Sequence, residues 1–238
     1  MENKHKVYNL IILDESGSMD SIKKTIINGF NEVVQTIKSV ALEYPEQEHT
    51  VTFVSFNSSG IKKIHENSKI ESLNQIDEQS YHPNGGTPLF DAMGASFFYL
   101  NSIIEKENPK NYNVLVTILT DGEENASKEH TAQSIKAKIE ELSLKNWTFT
   151  YIGANHDVDL FASRISITNV MKFETNEDDM QRMFMRDRNA RISYSKKIRL
   201  SEDVSNGYFH DSELDEKKSD VEKNEPENKS FWKKLFGN

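Results

Sequence analysis

The chain has 238 residues, no cysteine and a formal net charge of -9 at pH 7. Its length fits one large α/β domain or two small ones; the missing thiols exclude disulfides and thiolate metal sites, and the negative charge argues against nucleic acid as a primary partner. Hydrophobic residues make up 36% and the mean hydropathy is -0.68, polar enough to predict that part of the chain stays outside a packed core.

The N-terminal MENKHK and the apolar run behind it are too short for a secretion signal and lack a small-residue cleavage site. No stretch reaches the length of a membrane span, so a cytoplasmic location is expected. The run Val7 to Leu13 reads as a buried strand that stops at Asp14. Two hydroxyls follow at alternate positions, Ser16 and Ser18. Helical spacing then recurs from Asp20 to Glu43 through Ile22, Ile26, Phe30, Val33, Val34, Ile37, Val40 and Ala41, and Pro45 lies just past its end. Thr50 to Phe56 is rich in β-branched and aromatic residues and predicts a strand. The turn Asn57-Ser58-Ser59-Gly60 then leads into an antiparallel edge strand, Ile61 to His65.

His82-Pro83-Asn84-Gly85-Gly86-Thr87-Pro88 is built for tight backbone turns, and Pro88 suits the first turn of a helix carrying Leu89, Ala92, Met93, Phe97, Leu100 and Ile104. Val114 to Leu119 predicts a central strand ending in Thr120-Asp121-Gly122. Ser127 is expected to cap a helix running to Leu144. A strand Trp147 to Ile152, a short helix Val158 to Ile165 and a strand Asn169 to Phe173 follow. Asn176 caps a last helix that buries Met180, Met183 and Phe184, with Met171 and Met185 read as core packing too. The scattered Arg182, Arg186, Arg188, Arg191 and Arg199 read as a solvated face. Alternating strands and helices predict a doubly wound α/β fold. Its sheet is mostly parallel, with one antiparallel edge strand and helices on both faces.

Composition changes near the end. Residues 201–238 hold ten acidic and six basic side chains, a net of -4, with few apolar groups. Such a segment buries too little area to offset its ordering entropy. The predicted organisation is a domain over 1–197, an acidic disordered linker over 198–228 and a docking peptide over 229–238. In that peptide Phe231, Trp232, Leu235 and Phe236 would share one face of a short helix, beside Lys233 and Lys234. Three aromatics and a leucine at the tip of a polar linker suit a hydrophobic groove on a partner. The acidic linker disfavours contact with an anionic membrane.

Three distant pieces carry the chemistry: Asp14-x-Ser16-x-Ser18 after the first strand, Thr87 in the Gly-Gly-Thr-Pro loop, and Asp121 after a central strand. In a parallel sheet the carboxyl ends of the strands share one edge, where ligands bind. A carboxylate and two hydroxyls crowded after the first strand form a set of oxygen ligands for a hard cation, and the loops bearing Thr87 and Asp121 can meet them. With this set in place the sequence resembles the von Willebrand factor A domain family over roughly residues 5–195. All five positions of that family's metal-ion-dependent adhesion site are present, and the GGTPL and YIGAN wording is similar to bacterial intracellular members. The resemblance implies a Rossmann-like fold and Mg²⁺ as cofactor, with Mn²⁺ or Ca²⁺ as alternatives. It implies direct ligation by Ser16, Ser18 and Thr87, ligation through water by Asp121, and one coordination position left for an Asp or Glu of a protein partner.

The simplest structural alternative is that Asp14 ends a strand and Ser16 and Ser18 only cap the first helix. Glu15, Asp20, Glu123 and Glu124 read as solvated loop charge. Catalysis is not expected. An aspartate-nucleophile phosphatase needs a second carboxylate where Ser16 stands, and the loop lacks the Gly-Lys-Ser/Thr of a phosphate-binding loop. The seven histidines show no zinc spacing. The expected function is therefore metal-dependent protein–protein recognition. The alternatives are a tail-docked scaffold or membrane-associated adaptor acting through its C-terminal peptide, or a metal-dependent hydrolase.

Overall fold

The computed structural model describes residues 4–210. The chain runs β1 (His5–Asp14), a 3₁₀ turn (Gly17–Ile22), α1 (Lys23–Glu43), β2 (Gln47–Asn57), β3 (Gly60–Lys69) and a second 3₁₀ turn (Ile70–Ser72). It continues with α2 (Leu89–Glu107), β4 (Tyr112–Thr120), α3 (Ala132–Ser143), β5 (Trp147–Gly153), α4 (Val158–Arg164), β6 (Asn169–Lys172) and α5 (Glu177–Leu200). The strands form one six-stranded sheet in the order β3-β2-β1-β4-β5-β6. Only the β2–β3 pair is antiparallel.

Side-chain alternation along β1 divides the interior into two layers. Val7, Ile11 and Leu13 face the side covered by α1 and α5. Tyr8, Leu10 and Ile12 face the side covered by α2, α3 and α4. Because both faces are covered, the central strands are continuous apolar runs. On the first side α1 and α5 approach closely at Gly29, where a Cβ would lie 1.8 Å from the Phe184 ring.

Strand order reverses at β1: β2 lies on one side and β4 on the other. The crevice between the carboxyl ends of β1 and β4 is thus the switch point of the sheet. The register there pairs Leu13 with Leu119, which sets Asp14 beside Thr120.

The structure corrects several expectations. Ser127 does not cap α3. Thr131 does, in a reciprocal capping box with Ser134, while Ser127 hydrogen-bonds Glu124 in the preceding loop. Met185 is exposed rather than core. Arg191 is not solvated: it is buried, donates Nε–H to Asp187 at 2.6 Å, and donates from Nη2 to Thr117 on β4 at 2.8 Å. Residues 198–210, assigned by composition to the linker, belong to the packed domain. α5 continues to Leu200, and Val204, Tyr208 and Phe209 are buried. Val204 O accepts from Thr148 at 3.0 Å, and Tyr208 N–H donates to Asn169 at 3.0 Å, across the amino ends of β5 and β6. Three apolar residues were hidden in an average dominated by the charged stretch beyond them. Phe231, Trp232, Leu235 and Phe236 lie outside the described residues.

Candidate metal centre

The β1 backbone delivers Asp14 into the switch-point crevice with no exposed surface. One carboxylate oxygen accepts the Ser16 N–H at 2.7 Å and the other accepts the Thr120 hydroxyl at 2.6 Å. Ser16 Oγ lies 3.2 Å from Ser18 Oγ, and the Ser18 hydroxyl donates to Asp121 at 2.7 Å. Thr87 lies nearby: a Cβ built on Gly122 would sit 3.7 Å from Ser18 Oγ and 3.9 Å from Thr87 Oγ1, so both hydroxyls neighbour the Gly122 backbone. The five residues singled out from sequence are thus gathered at this edge of the sheet, four of them joined by hydrogen bonds. Asp14, Ser16, Thr87 and Asp121 are buried, and Ser18 is exposed, which opens the cluster to solvent. The simple capping alternative does not describe the serines: Ser16 is the N-cap residue of the 3₁₀ turn, yet its side chain makes no capping hydrogen bond.

A dense backbone frame holds the two loops together. Gly17 N–H donates to Gly85 O at 3.0 Å and Asn84 N–H donates to Glu15 O at 2.9 Å. The buried Tyr81 hydroxyl donates to Asp14 O at 2.6 Å. Gly85 has φ +72°, and a Cβ there would lie 2.1 Å from Ser58 Oγ, so both conformation and space call for glycine.

Glu15 is the residue that sequence reasoning misplaced. It is buried, not solvated. Its carboxylate accepts from the Ser55 hydroxyl on β2 and from the His82 N–H. It fastens the Asp14 loop to the sheet and to the chain before Gly85. Glu124, also read as solvated, accepts from Phe90 N–H at 2.9 Å, Ala126 N–H at 2.9 Å and Ser127 N–H at 2.7 Å. Asp91 accepts three successive N–H groups, from Lys128, Glu129 and His130. Asp20 and Glu123 are exposed. Little in the sequence around Asp91 or Glu124 marks them, because apart from the Ser127 hydroxyl on Glu124 the partners of their carboxylates are backbone N–H groups, which carry no residue signature.

The electrostatics of the cluster are unbalanced. Burial pushes the Asp14 carboxyl up to about 6, with the nearby Asp121 adding to the rise. Burial also raises Asp121, against a hydrogen bond from Ser18 that lowers it. Among the described residues no ion pair involves either carboxylate. Nor does any group of three or more His, Asp or Glu side chains there offer a metal site. What the crevice offers is a mixed set: two carboxylates that no ion pair among the described residues neutralises, and three neutral hydroxyls. This all-oxygen chemistry fits a hard divalent cation such as Mg²⁺.

The six-stranded, doubly wound sheet with this cluster at its switch point places the chain among α/β domains with a crevice at their strand ends. Residues 10–198 match the model of the von Willebrand factor type A domain, and the chain belongs to this family. No curated protein matches the sequence. Among solved structures, the pilus adhesin SpaC from Lactobacillus rhamnosus GG, in its open conformation, is 12% identical. The match covers 81% of this chain and 30% of that one, with a TM-score of 0.57. Proximal thread matrix protein 1 of the mussel byssus is 14% identical over 76% of this chain and 44% of that one, with a TM-score of 0.49. The VWA domain of SpRpn10 is 10% identical over 74% of this chain and 92% of that one, with a TM-score of 0.46. The chain thus spans less than half the length of the adhesin and of the byssus protein, and at 12% identity the likeness to the adhesin is one of fold. No helix among the described residues is long and apolar enough to cross a membrane.

Proposed function

We propose that the protein is a metal-dependent protein-recognition module, holding Mg²⁺ with Asp14, Ser16, Ser18, Thr87 and Asp121 and binding a partner through an Asp or Glu side chain. The observation that supports this reading is the gathering of those side chains around two buried carboxylates that no ion pair among the described residues neutralises. A cation there supplies the missing charge and a Lewis-acidic point for an incoming carboxylate. The residues of this chain do the rest. Asp14 and Asp121 offset the charge without enclosing the ion. The three hydroxyls donate oxygen without adding negative charge, so the ion stays attractive to an outside anion. The backbone frame around Gly17 and Gly85 keeps the loops in place before a partner arrives, which lowers the ordering cost of binding.

The test is thermal unfolding of the full chain in EDTA and in millimolar Mg²⁺, Mn²⁺ or Ca²⁺, with Asp14→Ala beside it. A ligand that binds only the folded state stabilises it by about 2.7 kcal/mol at a hundredfold excess over its Kd. A metal-dependent rise in Tm that is absent in Asp14→Ala is expected. A capture experiment with immobilised protein then tests the second half: a partner held through its carboxylate is released by EDTA and is not retained by the variant. No shift with any of the three ions would sink the metal reading, and a partner indifferent to EDTA would sink the carboxylate one.

A further inference from the structure

Thr87 stands in the loop before α2, while Asp14 ends a strand and Asp121 directly follows one. Its carbonyl accepts the Leu89 N–H of α2 at 3.0 Å, and the rest of the hold on its backbone comes from the far side of the crevice. Thr87 N–H donates to Asn125 Oδ1 at 2.9 Å, and Asn125 N–H donates to Thr87 O at 3.1 Å. A single residue thus grips both polar groups of the Thr87 backbone. Asn125 sits four positions after Asp121, on the same loop. The grip is close: a Cβ on Gly86 would lie 2.9 Å from Asn125 Oδ1. Asn125 itself is braced, since its neighbour Glu124 ties Phe90 to Ser127 and Asp91 binds the N–H groups of residues 128–130.

We infer that Asn125 is the positioning residue of the metal centre: it holds Thr87 at the distance from Asp121 that the cation requires. The inference rests on the metal reading above. The Asn125 side chain is exposed and bonds none of the other four donors, so its action runs through Thr87. The loop bearing one carboxylate and the loop bearing the third hydroxyl behave as a preassembled half-site. Residues that orient metal ligands in this way commonly change metal affinity tenfold to a hundredfold when removed.

The experiment is Mn²⁺ titration of the full chain, following free Mn²⁺ by electron paramagnetic resonance. Asn125→Ala is expected to weaken binding about tenfold or more, with little change in Tm in EDTA. Asn125→Asp keeps an acceptor for the Thr87 N–H and is expected to retain affinity. Gly86→Ala reaches the same bond from the other side and is expected to weaken binding as Asn125→Ala does, which provides a second variant should the first fold poorly. The decisive arm is the double variant. Asn125→Ala adds nothing to the loss already caused by Thr87→Ala if it acts through that residue. The inference is overturned if Asn125→Ala binds Mn²⁺ like the wild type, or if it costs the same factor in the Thr87→Ala background. If the wild-type chain itself binds no Mn²⁺, the metal reading falls and this inference falls with it.

Discussion

Replacing Asp14 by Asn is expected to stabilise the metal-free protein while removing its response to metal. Burial lifts the Asp14 carboxyl from 3.8 to about 6 in the folded state. The folded chain therefore binds a proton that the unfolded chain does not between those two values. By linkage, stability falls as pH rises from about 3.8 to about 6, and the loss is complete above that window. A rise from 3.8 to about 6, at about 1.36 kcal/mol for each step of one in pKa, amounts to roughly 3 kcal/mol at pH 7. Asn mimics the neutral acid. It keeps an acceptor for Ser16 N–H and offers an N–H to Thr120, whose hydroxyl then turns to Gly122 O, 3.1 Å away. In EDTA at pH 7 the variant should gain up to about 3 kcal/mol, or roughly 6–12 °C in Tm for a chain of this size. The gain should shrink to nothing by about pH 4, because wild type and variant are then both neutral. In saturating Mg²⁺ the order should narrow or reverse, since only the wild type binds. Urea unfolding of both proteins from pH 4 to 7, with and without metal, measures all of this. A variant no more stable than wild type at pH 7 in EDTA, or a gain independent of pH, would refute the claim that an uncompensated buried charge sits in the crevice.

Further outcomes follow from the same structure. Gly29→Ala should cost about 1–3 kcal/mol by pushing Phe184 off α1, and less in a Phe184→Ala background, as a double-mutant cycle in urea would show. Burial, with His5 and Arg191 nearby, lowers His49 to about 4. The unfolded chain takes up that proton first, so His49 stability is present above about 6.5 and is lost as pH falls towards 4, by up to about 3 kcal/mol. His49→Gln should flatten that part of the wild-type profile in EDTA. Glu15→Ala leaves Ser55 and the His82 N–H without their acceptor. It should cost roughly 1–3 kcal/mol and weaken metal binding, readable as a lower Tm and a smaller metal-induced rise.

The fold and the gathering of Asp14 and Asp121 at one edge were legible in the sequence for the same reason. Strands buried on both faces are continuous apolar runs; one of the two that matter ends in Asp14 and the other is followed directly by Asp121. The parallel arrangement then obliges those ends to share an edge. Thr87 was legible because Gly-Gly before it and Pro after it mark a tight loop opening a helix. Glu15 was not legible. A carboxylate between Asp14 and Ser16 looks like loop charge, and only the approach of Ser55 and the His82 backbone makes its burial tolerable. Arg191 escaped in a similar way: Asp187 lies one turn before it on α5, but its other partner, Thr117, is chosen by how α5 crosses the sheet. The cap of α3 was misplaced because Ser127 and Thr131 both suit an N-cap, and the Glu124 carboxylate claims Ser127. The passage over 201–210 was lost to averaging: Val204, Tyr208 and Phe209 pack, whereas the composition reflects their charged neighbours.

The central claim is that Asp14, Ser16, Ser18, Thr87 and Asp121 together hold one divalent cation. The most direct measurement is a Mn²⁺ binding isotherm of the full chain at pH 7, repeated on Asp14→Ala, Ser16→Ala and Asp121→Ala. One site per chain in the wild type, lost or strongly weakened in each variant and displaced by Mg²⁺, is the predicted result. Saturable binding that survives all three substitutions, or no binding in the wild type, would contradict it.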